Sequence, residues 1–257
     1  MTWIVAALLA SAAVLNYQRA NELFSKGRYE EAGKALDQSL REDPNMVPAL
    51  TLKGKLAMGL NRFDEAREAL TKAAALEPAS SYVQFLLGFF HYVDNDFRKA
   101  LPPLQTAARL DAQDARATFY LALTYEGLAQ PDAALGWYDR TLALQKDHPS
   151  ADTFTAYGRL LFTLGRYAES RQRIDRALQL DPNSRDAHYE LGRLLFEDGK
   201  FAEAAAQGER ALAIPGVGTL DRQIHFLLAR AYRKTGEGAK ADDHLAKFKA
   251  SGVSLRR

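Results

Sequence analysis

The feature that most constrains this chain is a helix-turn-helix unit that recurs with a period of 34 residues. The unit is clearest in residues 151–184, where Phe154 and Leu161 share one face of a short amphipathic helix. Gly165 ends that helix, and Pro182 ends a second one because proline cannot continue the backbone hydrogen bonding. A single hairpin cannot bury its own apolar faces, so the unit requires neighbours of the same kind.

Seven copies of the unit follow one another in the sequence. Small residues recur at unit position 8, where two helices must approach closely, and apolar residues recur at position 24. Position 8 holds Ala20, Gly54, Gly88, Ala122, Gly158, Gly192 and Ala229. Position 24 holds Leu36, Leu70, Leu104, Tyr138, Ile174 and Leu245, with Gly208 as the exception. The copies span residues 13–46, 47–80, 81–114, 115–148, 151–184, 185–218 and 222–255.

This register closely resembles that of the tetratricopeptide repeat family, which has one helix-turn-helix per 34 residues. The resemblance covers residues 13–255 and predicts an all-α fold, a right-handed superhelical solenoid of about seven repeats. It also implies that the first helix of each repeat lines a concave groove, chiefly through unit positions 2, 5, 6, 9, 12 and 13.

Repeats 3 and 4 place apolar and mostly aromatic side chains at these lining positions. They are Tyr82, Phe85, Leu86, Phe89, Tyr92, Phe119, Tyr120 and Leu123. Such a surface, if exposed, is typical of a binding site. The alternatives are that some of these side chains pack on the next repeat, with Phe89 and Tyr120 expected to be partly core, or that the N-terminal segment covers them.

The C-terminal repeats are basic at one recurring position. Arg159, Arg193 and Arg230 all occupy position 9, so they should stack in a ladder along the groove. The neighbouring members of this set are Arg233, Tyr189 and Phe226. A guanidinium presents a planar fork of donors that fits a carboxylate, so the ladder predicts an acidic or C-terminal peptide ligand. The alternative is internal pairing, for which the neighbouring lining positions supply Asp152, Asp186, Glu190 and Glu197.

Residues 1–12 lie outside the repeat pattern. An apolar run over residues 3–15 has the length of a signal-peptide core, and Ala10-Ser11-Ala12 matches the A-x-A cleavage pattern. No Lys or Arg precedes the run, although export signals normally start with one. The segment is therefore either an export signal, which makes the protein exported or periplasmic, or an extension of the first repeat helix in a cytoplasmic protein. A membrane anchor is the third alternative, but the run is short for a membrane span.

Motifs of catalysis and metal binding are missing from the sequence. It has no glycine-rich phosphate loop, no H-E-x-x-H, no G-x-S-x-G and no EF-hand loop, and it has no cysteine. His188 and His225 both occupy position 4, where adjacent repeats could bring them near one another, but a metal site needs further ligands and helix packing is the favoured role. We therefore expect no enzyme activity, cofactor or metal.

These observations predict a non-catalytic protein-protein interaction scaffold that binds a peptide segment of another protein in the groove. The net charge of +2 carries no nucleic-acid signature, and we expect no integral membrane span. The alternative is a structural subunit of a cell-envelope assembly, which would pack through its convex face or through the aromatic patch.

Overall fold

The computed structural model describes the backbone of residues 2–216 and 219–253, and the side chains of residues 12–216 and 220–251. Fourteen α-helices and no β-strand occur in that part of the chain, which confirms the all-α repeat fold. The helices are α1 (Thr2–Ser25), α2 (Tyr29–Glu42), α3 (Val47–Gly59), α4 (Phe63–Leu76), α5 (Ser81–Val93), α6 (Phe97–Leu110), α7 (Ala115–Gly127), α8 (Pro131–Leu144), α9 (Ala151–Thr163), α10 (Tyr167–Leu180), α11 (Arg185–Glu197), α12 (Phe201–Ala213), α13 (Thr219–Thr235) and α14 (Gly238–Val253).

One left-handed turn recurs between the two helices of every repeat. Residues with positive φ occupy position 15 of all seven units: Gly27, Asn61, Asn95, Ala129, Gly165, Gly199 and Gly236. The next residue bonds back across the turn, as where the Arg166 N–H donates to the Leu161 carbonyl oxygen at 2.9 Å. Glycine and asparagine tolerate this conformation, whereas the Cβ of Ala129, at φ 55°, is crowded by it.

The small residues at position 8 allow the two helices of a repeat to touch. A Cβ added to Gly54 would lie 2.5 Å from the Leu70 side chain, and one added to Gly158 would lie 2.6 Å from Ile174. Both partners occupy position 24, so the two sequence positions are the two sides of one contact. In repeat 6, where position 24 is Gly208, a Cβ there would meet Leu228 of the next repeat at 2.8 Å.

The chain divides into two compact units, Met1–Trp137 (unit 1) and Tyr138–Arg257 (unit 2). Within each unit, odd-numbered helices of consecutive repeats contact one another: α1 with α3, α3 with α5 and α5 with α7 in unit 1, and α9 with α11 and α11 with α13 in unit 2. Among the contacts recorded for α2, α4, α6, α10, α12 and α14, none joins two even-numbered helices. We call the surface formed by the odd-numbered helices of a unit its odd-helix face.

Helix α6 contains two prolines in its interior. It begins at Phe97, well before Pro102, because the Asp96 carboxylate caps it by accepting a hydrogen bond from the Lys99 backbone N–H at 3.1 Å. Pro102 and Pro103 therefore lie inside the helix and do not mark its start, and Pro103 is buried.

Helix α1 is the longest helix in the described part of the chain. Its backbone is helical from Thr2 to Ser25, and the side chains of residues 1–11, which hold most of the candidate export signal, lie outside the described residues. A search of the described residues finds no helix that is both long and apolar enough to cross a bilayer.

Candidate binding surface

All fourteen side chains that the sequence places in the two sets lie on odd-numbered helices. In unit 1, α5 carries Tyr82, Phe85, Leu86, Phe89 and Tyr92, and α7 carries Phe119, Tyr120 and Leu123. Arg159 belongs to α9, Tyr189 and Arg193 to α11, and Phe226, Arg230 and Arg233 to α13, all in unit 2. The predicted set therefore divides between the odd-helix faces of the two units.

The aromatic side chains of unit 1 pack mainly on one another. Phe85 is only 6% exposed, and its ring stacks on that of Phe89 with centroids 6.0 Å apart. Tyr120 of α7 meets Phe89 edge-on at 4.8 Å and Tyr92 at 5.2 Å. These rings join α5 to α7, and Tyr82, at 39% exposed, is the ring of this set that remains most open to a ligand.

Arg116, which sequence reasoning missed, lies next to that open ring. Its guanidinium carbon is 6.0 Å from the centre of the Tyr82 ring and 5.0 Å from that of Phe85. The Asp114 carboxylate accepts two hydrogen bonds from the same guanidinium, each 2.9 Å long. Burial raises the pKa of Asp114, but the hydrogen bonds from Arg116 outweigh this and lower it overall. Arg116 is held charged above the aromatic cluster.

Two arginines of the predicted ladder, Arg193 and Arg230, each lie close to two aromatic rings. The guanidinium carbon of Arg193 lies 3.9 Å from the centre of the Phe162 ring and 5.8 Å from that of Tyr189. Arg230 repeats the arrangement, at 4.2 Å from the Phe196 ring and 5.7 Å from Phe226. One ring of each pair comes from position 5 of the same helix, and the other comes from position 12 of the preceding repeat.

The position-12 rings belong to this candidate surface, but the sequence analysis did not select them. Phe162 and Phe196 lie at a lining position, but they are significant only because the cation of the next repeat covers them. Unit 1 contains the same pair once, where the Lys55 ammonium at position 9 lies 5.5 Å from the ring of Phe24 at position 12. An aromatic residue at position 12 followed by a cation at position 9 of the next repeat is the signal that could have found them.

Two of the arginines have acidic partners. The Arg193 Nη1 donates to Glu190 Oε2 at 2.6 Å, and Glu190 is 4% exposed. Burial raises the pKa of Glu190, and the positive charges of Arg193 and Arg159 oppose that rise only in part. Arg233 pairs with Asp242 of α14 at 2.7 Å, and both side chains are largely exposed. Glu190 is one of the four carboxylates that the sequence offered for internal pairing.

Both histidines at position 4 have hydrogen-bonding partners. His188 contacts Gln207 Oε1 at 2.8 Å and the Pro182 carbonyl oxygen at 2.9 Å. His225 instead contacts His244 of α14, with their Nδ1 atoms 3.0 Å apart. Each position-4 imidazole contacts position 23 in the second helix of its own repeat, as expected of a helix-packing residue. The described residues contain no group of three or more His, Cys, Asp or Glu residues that could hold a metal ion.

A pocket of about 290 Å³ opens on the odd-helix face of unit 1. Its walls include Tyr17 and Asn21 of α1, Leu52 and Lys55 of α3, and Tyr82 of α5. These residues occupy the lining positions 2, 5, 6 and 9, so this face is concave between repeats 1 and 3. Sequence reasoning placed the aromatic half of the site in repeats 3 and 4, and therefore missed this part.

Known proteins share both the sequence pattern and the fold. Two tetratricopeptide repeat models match the sequence, one over residues 91–149 and 155–217 and the other over residues 23–88. A curated relative, the TPR repeat-containing protein YpiA of Bacillus subtilis (strain 168), is 24% identical over 110 residues, which is 43% of this chain. That match spans only 26% of the length of the relative.

Solved structures resemble the chain over most of its length. A tetratricopeptide repeat protein from Parabacteroides merdae ATCC 43184 covers 93% of this chain and matches over 93% of its own, with 18% identity and a TM-score of 0.75. Pseudomonas aeruginosa pilF covers 93% of this chain and matches over 99% of its own, at 18% identity and a TM-score of 0.68. MamA is 25% identical, covers 62% of this chain and matches over 92% of its own, with a TM-score of 0.57. At 18% identity, the first two likenesses show the fold alone.

Proposed function

Because the chain belongs to the tetratricopeptide repeat family, whose members generally act as protein-protein interaction scaffolds, we propose that it is a non-catalytic binding protein for an acidic peptide segment of a partner protein. The peptide lies on the odd-helix face of unit 2. The observation that carries this proposal is the stacking of Arg193 on Phe162 and of Arg230 on Phe196.

Stacking holds an arginine in place without using its hydrogen-bond donors. The N–H groups of a guanidinium lie in its plane, so a ring on its face leaves the donor edge able to form two parallel bonds with a carboxylate. Arg193 keeps 25% of its side-chain surface exposed despite its contacts, and Arg230 is exposed. A side chain that is already held loses less conformational entropy on binding, so the rings favour affinity as well as orientation.

Other predicted residues of unit 2 can contact the parts of the bound peptide that lie between its carboxylate groups. Phe226 is 43% exposed and Tyr189 is half-buried, so both can contact the apolar part of a bound chain. The ion pair of Arg233 with Asp242 is exposed, and exposed pairs are worth only about 0–1 kcal/mol, so an acidic ligand can compete for that arginine.

In unit 1 the same proposal assigns a smaller role to the aromatic set. Tyr82 and the half-buried edges of the other rings offer apolar contacts, with Arg116 as the adjacent charge. Phe85 acts through packing, because it is buried under its neighbours.

Binding of a defined acidic probe tests the proposal. We would titrate fluorescein-labelled hexaglutamate with the purified chain and follow fluorescence anisotropy. The double variant Arg193→Gln/Arg230→Gln should bind at least about tenfold more weakly and with a flatter salt dependence, because charge-assisted hydrogen bonds are lost. The matched control is Arg176→Gln/Arg210→Gln, which removes two exposed arginines from α10 and α12.

Equal binding by both double variants and the wild type would contradict the proposal. It would favour the alternative of a structural subunit that packs through the even-numbered helices. The far-UV circular dichroism and the unfolding midpoint of each variant serve as checks on the fold.

A further inference from the structure

Glu190 is a buried carboxylate at a position where the fold does not require one. It occupies position 6 of repeat 6 and is 4% exposed. The other repeats place uncharged residues there: Gln18, Leu52, Leu86, Tyr120, Ala156 and Leu227. Removing a carboxylate from water costs free energy that an apolar side chain at the same place would not cost. Packing alone therefore does not account for Glu190.

The surroundings of Glu190 are those of a ligand carboxylate. Its Oε2 accepts a hydrogen bond from Arg193 Nη1 at 2.6 Å, which is the short distance of a charge-assisted bond. The positive charge of Arg159, on the neighbouring helix α9, stabilises the ionised form of Glu190. The negative charge of Asp186, on the same helix as Glu190, destabilises that form. Tyr189 precedes it on α11, and Arg230 lies on α13, the next odd-numbered helix. Glu190 thus accepts a hydrogen bond from an Arg193 N–H group that an acidic peptide would otherwise use.

We propose that Glu190 is an internal competitor for the ligand: in the free protein its carboxylate holds Arg193, and a carboxylate of the peptide must take over that arginine to bind. This inference rests on the proposed function and adds to it a residue that sets affinity and selectivity. Weakly acidic segments are rejected because one contact does not displace Glu190, whereas segments with several carboxylates gain enough contacts to do so.

The same arrangement makes binding depend on pH. Burial raises the pKa of Glu190, so this carboxyl takes up a proton at a higher pH than an exposed glutamate of the ligand does. Once neutral, Glu190 no longer holds Arg193 as an ion pair. Affinity for an acidic peptide therefore increases as the pH falls toward the pKa of Glu190, and it decreases again when the carboxylates of the peptide become protonated.

Glu190→Gln tests the inference, because glutamine keeps the shape of the side chain and removes its charge. With labelled hexaglutamate at about pH 7.5, this variant should bind about fivefold more tightly than the wild type. The matched control is Asp186→Asn, which removes an exposed carboxylate from the same helix and should change affinity by less than about twofold. In an Arg193→Gln background, Glu190→Gln should have no effect, because the competition is for that arginine.

Each outcome decides between the two proposals. If the arginine variants weaken binding but Glu190→Gln leaves it unchanged or weaker, the proposed function holds and the competitor role is overturned, since Glu190 then only positions Arg193. An equal gain in Glu190→Gln and Asp186→Asn would also overturn it, by showing a general charge effect. If neither the wild type nor Glu190→Gln binds hexaglutamate, both proposals fail.

Discussion

The guanidinium carbon of Arg193 lies 3.9 Å from the centre of the Phe162 ring, so the side chain proposed to bind a ligand is also part of the contact between repeats 5 and 6. Arg230 and Phe196 form the same contact between repeats 6 and 7. The charge is placed by the packing of two repeats and not by a loop. Binding and stability are therefore coupled at these residues.

The coupling between Phe162 and Arg193 should be measurable in the free protein. We expect Phe162→Leu and Arg193→Gln to show an interaction of about 0.5–1 kcal/mol in the free energy of unfolding, because each substitution removes the same cation–π contact. A double-mutant cycle by urea denaturation measures this value. The equivalent cycle for Phe196 and Arg230 is the internal replicate, and strictly additive effects in both cycles would argue against the contact.

The same substitution at two glycines should have opposite effects on stability. Gly158→Ala places a Cβ 2.6 Å from Ile174 and should destabilise the protein by about 1–3 kcal/mol, because the core must move to admit it. Gly136→Ala in α8 meets no atom within 4 Å and should stabilise it by about 0.5–1 kcal/mol, since alanine favours helix. Urea midpoints of the two variants give the comparison. Stabilisation by both substitutions would show that position 8 is not tightly packed.

The turn at Ala129 should gain stability when alanine is replaced by glycine. Its φ of 55° crowds the Cβ, whereas glycine adopts this conformation freely. We expect Ala129→Gly to raise the free energy of unfolding by about 0.5–1 kcal/mol after the greater entropy of the unfolded glycine is subtracted. The reverse change at the equivalent turn, Gly165→Ala, should lower it by about 1 kcal/mol. Thermal and urea unfolding of both variants check the two signs.

The contact between His225 and His244 should make the last repeat sensitive to acid. Burial and the adjacent His244 imidazole lower the pKa of His225. The imidazole has a pKa of about 6.5 in the unfolded chain. Above that pH it is neutral in both the folded and the unfolded state, so it does not change the free energy of unfolding there. Below that pH the unfolded chain takes up the proton more readily, and stability falls until the pH passes the folded pKa.

The variant His225→Gln isolates that effect. Other charges near this imidazole are Asp243 and Lys247 on α14 and Glu209 on α12. The free energy of unfolding of the wild type should therefore fall relative to that of the variant as the pH drops below about 6.5. Hydrogen exchange in α14 should accelerate over the same range in the wild type alone. Parallel pH profiles would contradict the prediction.

The period of the sequence predicted the helices and their internal contacts correctly, because these depend on residues close together in the chain. Position 8 and position 24 are neighbours within one hairpin, as the contact of Gly54 with Leu70 shows. The Asp96 cap also acts locally, and it starts α6 at Phe97 despite the two prolines that follow in the helix.

Contacts between repeats were harder to predict from the same pattern. The sequence placed Arg193 on the lining face but could not pair it with Phe162, because that contact depends on the angle between successive hairpins. The same angle decides that Phe85 is buried while Tyr82 is exposed, although both occupy lining positions.

The gap at Gly208 has a consequence for how a chain like this can change its length. In repeats 2, 3 and 5, the position-24 side chain of the same repeat packs against the glycine at position 8. In repeat 6 position 24 is itself a glycine, and Leu227 and Leu228 of repeat 7 occupy the space instead. If repeat 6 alone were duplicated or moved to another protein, it would lack the two leucines of repeat 7 that fill the space beside its glycines. Repeats 6 and 7 therefore form one packing unit: separating them would leave repeat 6 with an unfilled space and would expose Leu227 and Leu228 of repeat 7.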